Sequence, residues 1–368
     1  KSKKETKEKE WSKQERNQST EEKGEADTYS ENPEQQEAIR TQARAAAVTA
    51  GPGTGKTYTL IAHIQYLIEE CKVKPSEITA VTFTNRAAGQ LKERLQKSFG
   101  KKQGWKKLRA GTFHALCLSC LQEKGETGIL IDDVEALEIL REIIKESGLK
   151  QKPEQMQHVI SLFKTSGKSE GPKKPYQLKA ENKKPDFIAK ETILPDLKEE
   201  ELQIIEAYNH RLKEQGLWDY DDLLVETCRL LQQEKTGAVN IKQDLARKKS
   251  YNYLLVDEFQ DINPIQYKLL KLWNQNGTQL FVIGDPDQSI YGFRGSSAAC
   301  FEAFRTDYPM LHEITLTQNY RSTPEILAAA LPVISQNPGP KRILHPQNPK
   351  GPKVRLATAK SSEEEAAF

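Results

Sequence analysis

Ala50-Gly51-Pro52-Gly53-Thr54-Gly55-Lys56-Thr57 decides how this chain is read. The segment leading into it, Ala45-Ala46-Ala47-Val48-Thr49-Ala50, is short and apolar, as a strand buried in a parallel sheet is. After it, Leu60, Ile61, Ile64, Leu67, Ile68 and Cys71 recur at helical spacing, which predicts a helix beginning near Lys56. Strand, glycine-rich turn and helix N-terminus in that order make an anion site. Unpaired backbone N–H groups and the positive end of the helix dipole converge there on one point. Lys56 then falls on the β- and γ-phosphates of a nucleoside triphosphate, and the Thr57 hydroxyl on Mg²⁺. The strict form of such a loop has Gly where this chain has Ala50; Gly51, Gly53 and Gly55 still supply the backbone freedom.

Far downstream, Leu254-Leu255-Val256-Asp257-Glu258-Phe259-Gln260-Asp261 is an apolar strand ending in carboxylates. Ligands bind beyond the carboxyl ends of strands in parallel α/β sheets. One carboxylate, assigned to Asp257, holds Mg²⁺ through its water shell, and Glu258 polarises the attacking water. Two more polar segments follow predicted strands: Gly284-Asp285-Pro286-Asp287-Gln288-Ser289-Ile290-Tyr291-Gly292-Phe293-Arg294-Gly295 and Gln318-Asn319-Tyr320-Arg321-Ser322-Thr323. Gln288 is a candidate sensor of the γ-phosphate, and Arg321 a candidate arginine finger.

At 368 residues the chain has room for about two or three domains. A formal net charge of +3 permits a polyanionic partner without arguing for one. Cys71, Cys117, Cys120, Cys228 and Cys300 are odd in number and scattered, as in a reducing compartment, so a cytoplasmic location is expected. Cys117 and Cys120 share the i,i+3 spacing of one helix face and, with no second Cys or His pair nearby, read as core packing. No apolar run approaches membrane-spanning length and no signal peptide is visible. The chain does not begin with Met, which reads as a fragment or a processed product.

Residues 1–31 mix Lys and Glu with almost no aliphatic side chains and read as a solvated, disordered leader. Residues 32–122 alternate strand and helix, with strands over Ile78–Phe83 and Leu108–Phe113. Residues 123–230 read as a helical insertion with helices at Asp133–Ser147, Glu199–Gln215 and from about Asp219 to Gln233, and a Lys/Pro-rich loop over 166–190. The α/β text resumes over 231–309, where Asn263-Pro264-Ile265-Gln266 is a strong helix start. Residues 310–368 open a second domain that reads as truncated, because Ser361-Ser362-Glu363-Glu364-Glu365 is a capping box close to the chain end. The fold class expected is α/β: a P-loop parallel sheet with a helical insertion and the start of a second domain.

These blocks resemble the motifs of superfamily one helicases, and of the UvrD/Rep branch in particular. Asn32-Pro33-Glu34-Gln35-Gln36-Glu37-Ala38-Ile39 is similar to the adenine-reading Q motif, with Gln35 on the base. Ala50–Thr57 is similar to motif I, Thr82–Ala88 to motif Ia and Gly111-Thr112-Phe113-His114-Ala115 to motif Ib. Trp218-Asp219-Tyr220-Asp221-Asp222-Leu223 resembles the family's Asp-rich signature. Asp257–Asp261 resembles motif II, Gly284–Gly295 motif III and Gln318–Thr323 motif IV. The resemblance runs in order from residue 32 to 330 and implies two RecA-like domains with ATP between them. It further implies 3′–5′ movement on single-stranded DNA, action at single/double-strand junctions, and repair or replication proteins as partners.

By the same resemblance Tyr320 stacks near adenine, while Gln260 and Gln288 couple phosphate state to DNA. Phe83, Tyr291, Phe293 and Arg294 line the strand, with Thr112, Phe113 and His114 on its backbone. Aromatic stacking holds any base without reading sequence, which suits a motor that must cross all sequences. Core packing is the competing reading for an aromatic such as Phe83 at a strand end, and for His114. The family's motif V Gly-Leu-Glu segment and its motif VI Arg block are not in these residues. Weak nucleotide binding and slow hydrolysis are therefore expected of the 368 residues alone. Two other readings stay open: a helicase–nuclease subunit, and a DNA-binding regulatory ATPase that does not unwind. RNA as the track is less favoured.

Overall fold

The computed structural model describes residues 32–100, 104–166, 197–235, 251–290, 292, 299–337 and 341–367. The expected leader, nearly all of the Lys/Pro-rich loop and Tyr291, Phe293 and Arg294 lie outside them. The chain is α/β. A six-stranded sheet has the order β3-β2-β6-β7-β1-β8. Its strands are β1 (Ala45–Ala50), β2 (Ile78–Thr82), β3 (Arg109–Thr112), β6 (Tyr253–Val256), β7 (Gln279–Gly284) and β8 (His312–Leu316), while β4 (Ile129–Leu130) and β5 (Leu217–Trp218) pair separately. The four pairings from β3 to β1 run parallel, with Thr49 opposite Gly284, Val256 opposite Val282, Val81 opposite Val256 and Thr82 opposite Thr112. Parallel pairing puts the carboxyl ends of these five strands on one edge, where the segments after β1, β2, β3, β6 and β7 begin.

Two compact units emerge from the contacts. One is built from Gln42–Thr49 and Ile64–Glu313; the other takes in the described residues of Lys1–Thr41, Ala50–His63 and Ile314–Phe368. In the larger unit, helices α3 (Asn85–Phe99), α4 (Phe113–Glu123), α8 (Tyr220–Lys235), α9 (Pro264–Trp273) and α10 (Ala299–Asp307) accompany the strands. Leu116, Cys117, Leu223, Cys228, Leu270 and Phe304 bury together with Leu254, Val256 and Val282 in one core. Cys117 and Cys120 both lie buried, and burial pushes the Cys117 thiol up. No helix among the described residues is long and apolar enough to cross a membrane.

A second core belongs to α5 (Asp133–Ser147), α6 (Pro153–Thr165) and α7 (Glu199–Gln215), through Leu140, Ile143, Met156, Ile160, Ile204 and Tyr208. Local chemistry sets these helix ends. Asp132 and Glu135 form a capping box at the start of α5, and Gly148 and Gly216 end α5 and α7 in the left-handed region. The box read at Asn263 and Gln266 is present at α9.

The Asp-rich block 218–223 has a structural account. Asp219 and Asp222 cap the start of α8 reciprocally: each carboxylate accepts the other's backbone N–H, at 2.9 and 3.1 Å. Their remaining charge meets Lys164 of α6, whose Nζ donates to Asp219 and Asp222 at 2.7 Å each with only 6% of its side chain exposed. The Tyr208 hydroxyl donates to Asp219 as well, at 3.2 Å. One ammonium thus ties the helical core to the large one. Lys164→Met is expected to cost about 3–5 kcal/mol at neutral pH or above, because it strands buried carboxylates. Burial holds the Asp222 carboxyl up to about 6 even with the Lys164 ammonium against it. A carboxyl raised on folding costs stability as pH climbs from its unfolded value through its folded one, so the penalty should shrink toward acid pH. Urea titrations of both proteins at mildly acidic and mildly alkaline pH check this.

One local expectation is corrected. Phe113 does not continue β3: the Thr112 hydroxyl accepts the Ala115 N–H and caps α4, which makes Phe113 its first residue.

Candidate functional site

The smaller unit gathers the first set of residues. α1 (Pro33–Arg40) is capped by Asn32, whose side-chain oxygen accepts the Glu34 and Gln35 N–H groups. The 50–57 loop connects β1 to α2, which spans Lys56–Glu69 as the apolar spacing predicts. Five successive carbonyls of the loop are each engaged. That of Gly51 accepts the Thr54 hydroxyl at 2.8 Å, and that of Pro52 the Asn319 amide at 2.6 Å. The Gly53 carbonyl accepts the Tyr320 N–H at 2.8 Å, that of Thr54 the Gln35 amide at 2.9 Å and that of Gly55 the Thr59 N–H at 2.9 Å. Gly53 has φ +73°, and a methyl group there would meet the Arg321 Cβ at 2.5 Å. Glycine is required on both counts.

Gln35 is fully buried, and its Oε1 has no hydrogen-bond partner among the described residues. An unsatisfied buried amide oxygen costs on the order of 1–3 kcal/mol, so its place beside the loop suits a ligand that donates to it. Nearby, the Tyr320 hydroxyl accepts from Asn32 and donates to Gln318, both at 2.9 Å. Asn319 closes the arrangement: its oxygen accepts the Arg321 and Ser322 N–H groups while its amide holds Pro52. The Arg321 residue is exposed. Gln35, the loop and the 320–321 pair, distant in sequence, are therefore brought together. Asn319 and Asn32 were not singled out by sequence; their place inside motif-like blocks was the available signal.

The larger unit gathers the second set. Asp257 follows β6 directly, with its N–H on the Val81 carbonyl at 2.9 Å and its carboxylate accepting the Glu258 N–H at 2.9 Å. Glu258 then turns the chain in the left-handed region, φ +51°, an uncommon backbone for a residue with a side chain. Its carboxylate accepts from the Gln260 amide at 2.9 Å. Gln288 donates to Asp285 at 2.6 Å. Asp285 is completely buried yet stands out in sequence only as part of its block.

The residues expected along a nucleic-acid strand divide. Phe83 is half-buried just after β2. Phe113 is 2% exposed, its ring stacked on Trp273 at 6.0 Å in the large core. A ring in that position packs the interior. His114 sits edge-on to Tyr220 at 5.9 Å, and burial pushes its pKa down, against the cationic form. Thr112 spends its hydroxyl on the helix cap.

With this geometry in view, comparisons with known proteins give a consistent result. The chain is 33% identical over 345 residues to the ATP-dependent DNA helicase PcrA of Staphylococcus aureus (strain Mu50 / ATCC 700699), covering 92% of this chain and 44% of that protein. It is 32% identical to PcrA of Staphylococcus epidermidis, with the same coverage, and 31% identical to PcrA of Leuconostoc citreum, covering 92% and 43%. The chain thus spans less than half the length of these relatives. The model of the UvrD/REP helicase N-terminal domain matches residues 31–309, most of the sequence, and the chain belongs to that family.

Proposed function

We propose that this chain is the ATP-binding portion of an ATP-dependent DNA helicase that moves 3′–5′ on single-stranded DNA. The observation that carries the reading is the buried Gln35 Oε1, unpartnered among the described residues, beside a loop whose carbonyls from Gly51 to Gly55 are engaged. An adenine amine satisfies that oxygen, and the loop's N–H groups and Lys56 take the phosphates. The relatives' name, ATP-dependent DNA helicase PcrA, supports the same substrate and track.

In this reading each of these groups has a part in handling the nucleotide. Thr57 and Asp257 offer a hydroxyl and a carboxylate, hard oxygen donors that fit Mg²⁺. That ion, when bound, neutralises charge on the transferring phosphoryl group. Glu258 takes the proton of the attacking water, Lys56 balances the phosphate charge, Gln288 senses the γ-phosphate and Arg321 stabilises the charge that develops. Tyr320 lies against the base, and Phe83 with Tyr291, Phe293 and Arg294 would follow the DNA.

The test is ATP hydrolysis by the full-length protein with and without single-stranded DNA, followed by unwinding of duplexes carrying a 3′ or a 5′ tail. Strong stimulation and preference for the 3′ tail are expected. Hydrolysis indifferent to DNA would favour a regulatory ATPase, and preference for the 5′ tail would reverse the polarity.

A further inference from the structure

Four residues between the ends of β6 and β7 are joined in series, three through their side chains alone and Asp285 through its carboxylate and its backbone N–H. The Gln288 amide donates to the Asp285 carboxylate at 2.6 Å, and the Asp285 N–H donates to the Gln260 Oε1 at 2.8 Å. The Gln260 Nε2 then donates to the Glu258 Oε2 at 2.9 Å. Gln260 is 2% exposed and Asp285 wholly buried, so the path lies out of water. The amide cannot be turned around. A backbone N–H must meet an oxygen, and that sets the NH₂ end against the carboxylate. Space is tight too: a methyl group on Gly284 would come within 2.5 Å of Gln260 Oε1 and 3.0 Å of the Phe259 nitrogen. The Ser289 hydroxyl further pins the Gln260 carbonyl at 3.1 Å.

A planar amide with an acceptor at one end and a donor at the other transmits displacement. When the turn after β7 shifts, the Gln260 plane shifts with the Asp285 N–H, and the partner of the Glu258 carboxylate moves. The left-handed backbone at Glu258 turns that side chain back toward the amide instead of along the strand. We propose that Gln260 is the positioning residue for Glu258, linking the placement of the Asp285–Gln288 turn to the carboxylate that handles the attacking water. This rests on the reading of Glu258 as base and Gln288 as phosphate sensor. It adds a device by which phosphate state sets the base.

Steady-state ATP hydrolysis of the full-length protein at saturating single-stranded DNA tests it, with Gln260→Met and Gln260→Glu. Methionine keeps the volume and loses the amide; glutamate keeps an acceptor for the Asp285 N–H but replaces the donor to Glu258 with a carboxylate oxygen that repels it. Both are expected to lower kcat about tenfold or more, as small misplacements of reacting groups do, with KM for ATP within about threefold. Gln260→Met combined with Gln288→Ala should cost clearly less than the product of the single effects, the sign of a shared path. Native kcat in either single variant, with melting temperatures unchanged, overturns the link, as do effects that simply multiply. If Met alone unfolds, Gln260→Glu carries the test. Glu258→Gln run in parallel separates the two levels. Native turnover there removes the base reading itself, whereas its loss beside an unaffected Gln260→Met removes the positioning role only.

Discussion

Substitution of Arg321 by alanine is expected to slow DNA-stimulated ATP hydrolysis about 10³- to 10⁵-fold while affinity for single-stranded DNA stays within a few-fold. That range corresponds to about 4–7 kcal/mol of barrier. The expectation rests on how the residue is held. Its N–H is fixed by Asn319 at 3.1 Å, and its Cβ lies where a side chain on Gly53 would have to go. The stem is therefore set against the phosphate loop, while the residue as a whole remains exposed. Such a guanidinium reaches developing charge on a transferring phosphoryl group and gives little to ground-state binding. Pre-steady-state hydrolysis and fluorescence titration with labelled oligonucleotide measure the two quantities. An equal fall in both would reassign Arg321 to DNA binding.

Replacing Glu258 by glutamine should lower turnover about 10²- to 10⁴-fold with ATP still bound, because the amide is isosteric but cannot take a proton. The structure makes this substitution informative. The left-handed backbone and the Gln260 contact fix where the side chain stands, and glutamine can occupy the same place. Hydrolysis assays paired with nucleotide titration check it, and native turnover would hand the base role to another group.

The fold was legible where the signal is local. The helix after the loop, the capping box at Asn263 and the Gly148 stop each depend on a handful of adjacent residues, and each stands in the structure. The strand expected over Leu108–Phe113 stops at Thr112, where one hydroxyl capping Ala115 turns the chain into a helix. Long-range chemistry was hidden. The hold of Asn319 on Pro52 bridges 267 positions, and the Gln260–Asp285 contact exists only because β6 and β7 are sheet neighbours. The Asp-rich block was legible only as a resemblance, and its carboxylates serve a helix cap and a buried ammonium.

The run of engaged carbonyls from Gly51 to Gly55 has a thermodynamic consequence. A glycine-rich turn left to itself samples many shapes, and a ligand would have to freeze it at its own expense. Here folding has already met that ordering cost, so the cradle is pre-formed and nucleotide capture sacrifices little entropy. Damage to Asn319 or Gln35 would then surface in the entropy of binding long before it surfaced in the melting temperature.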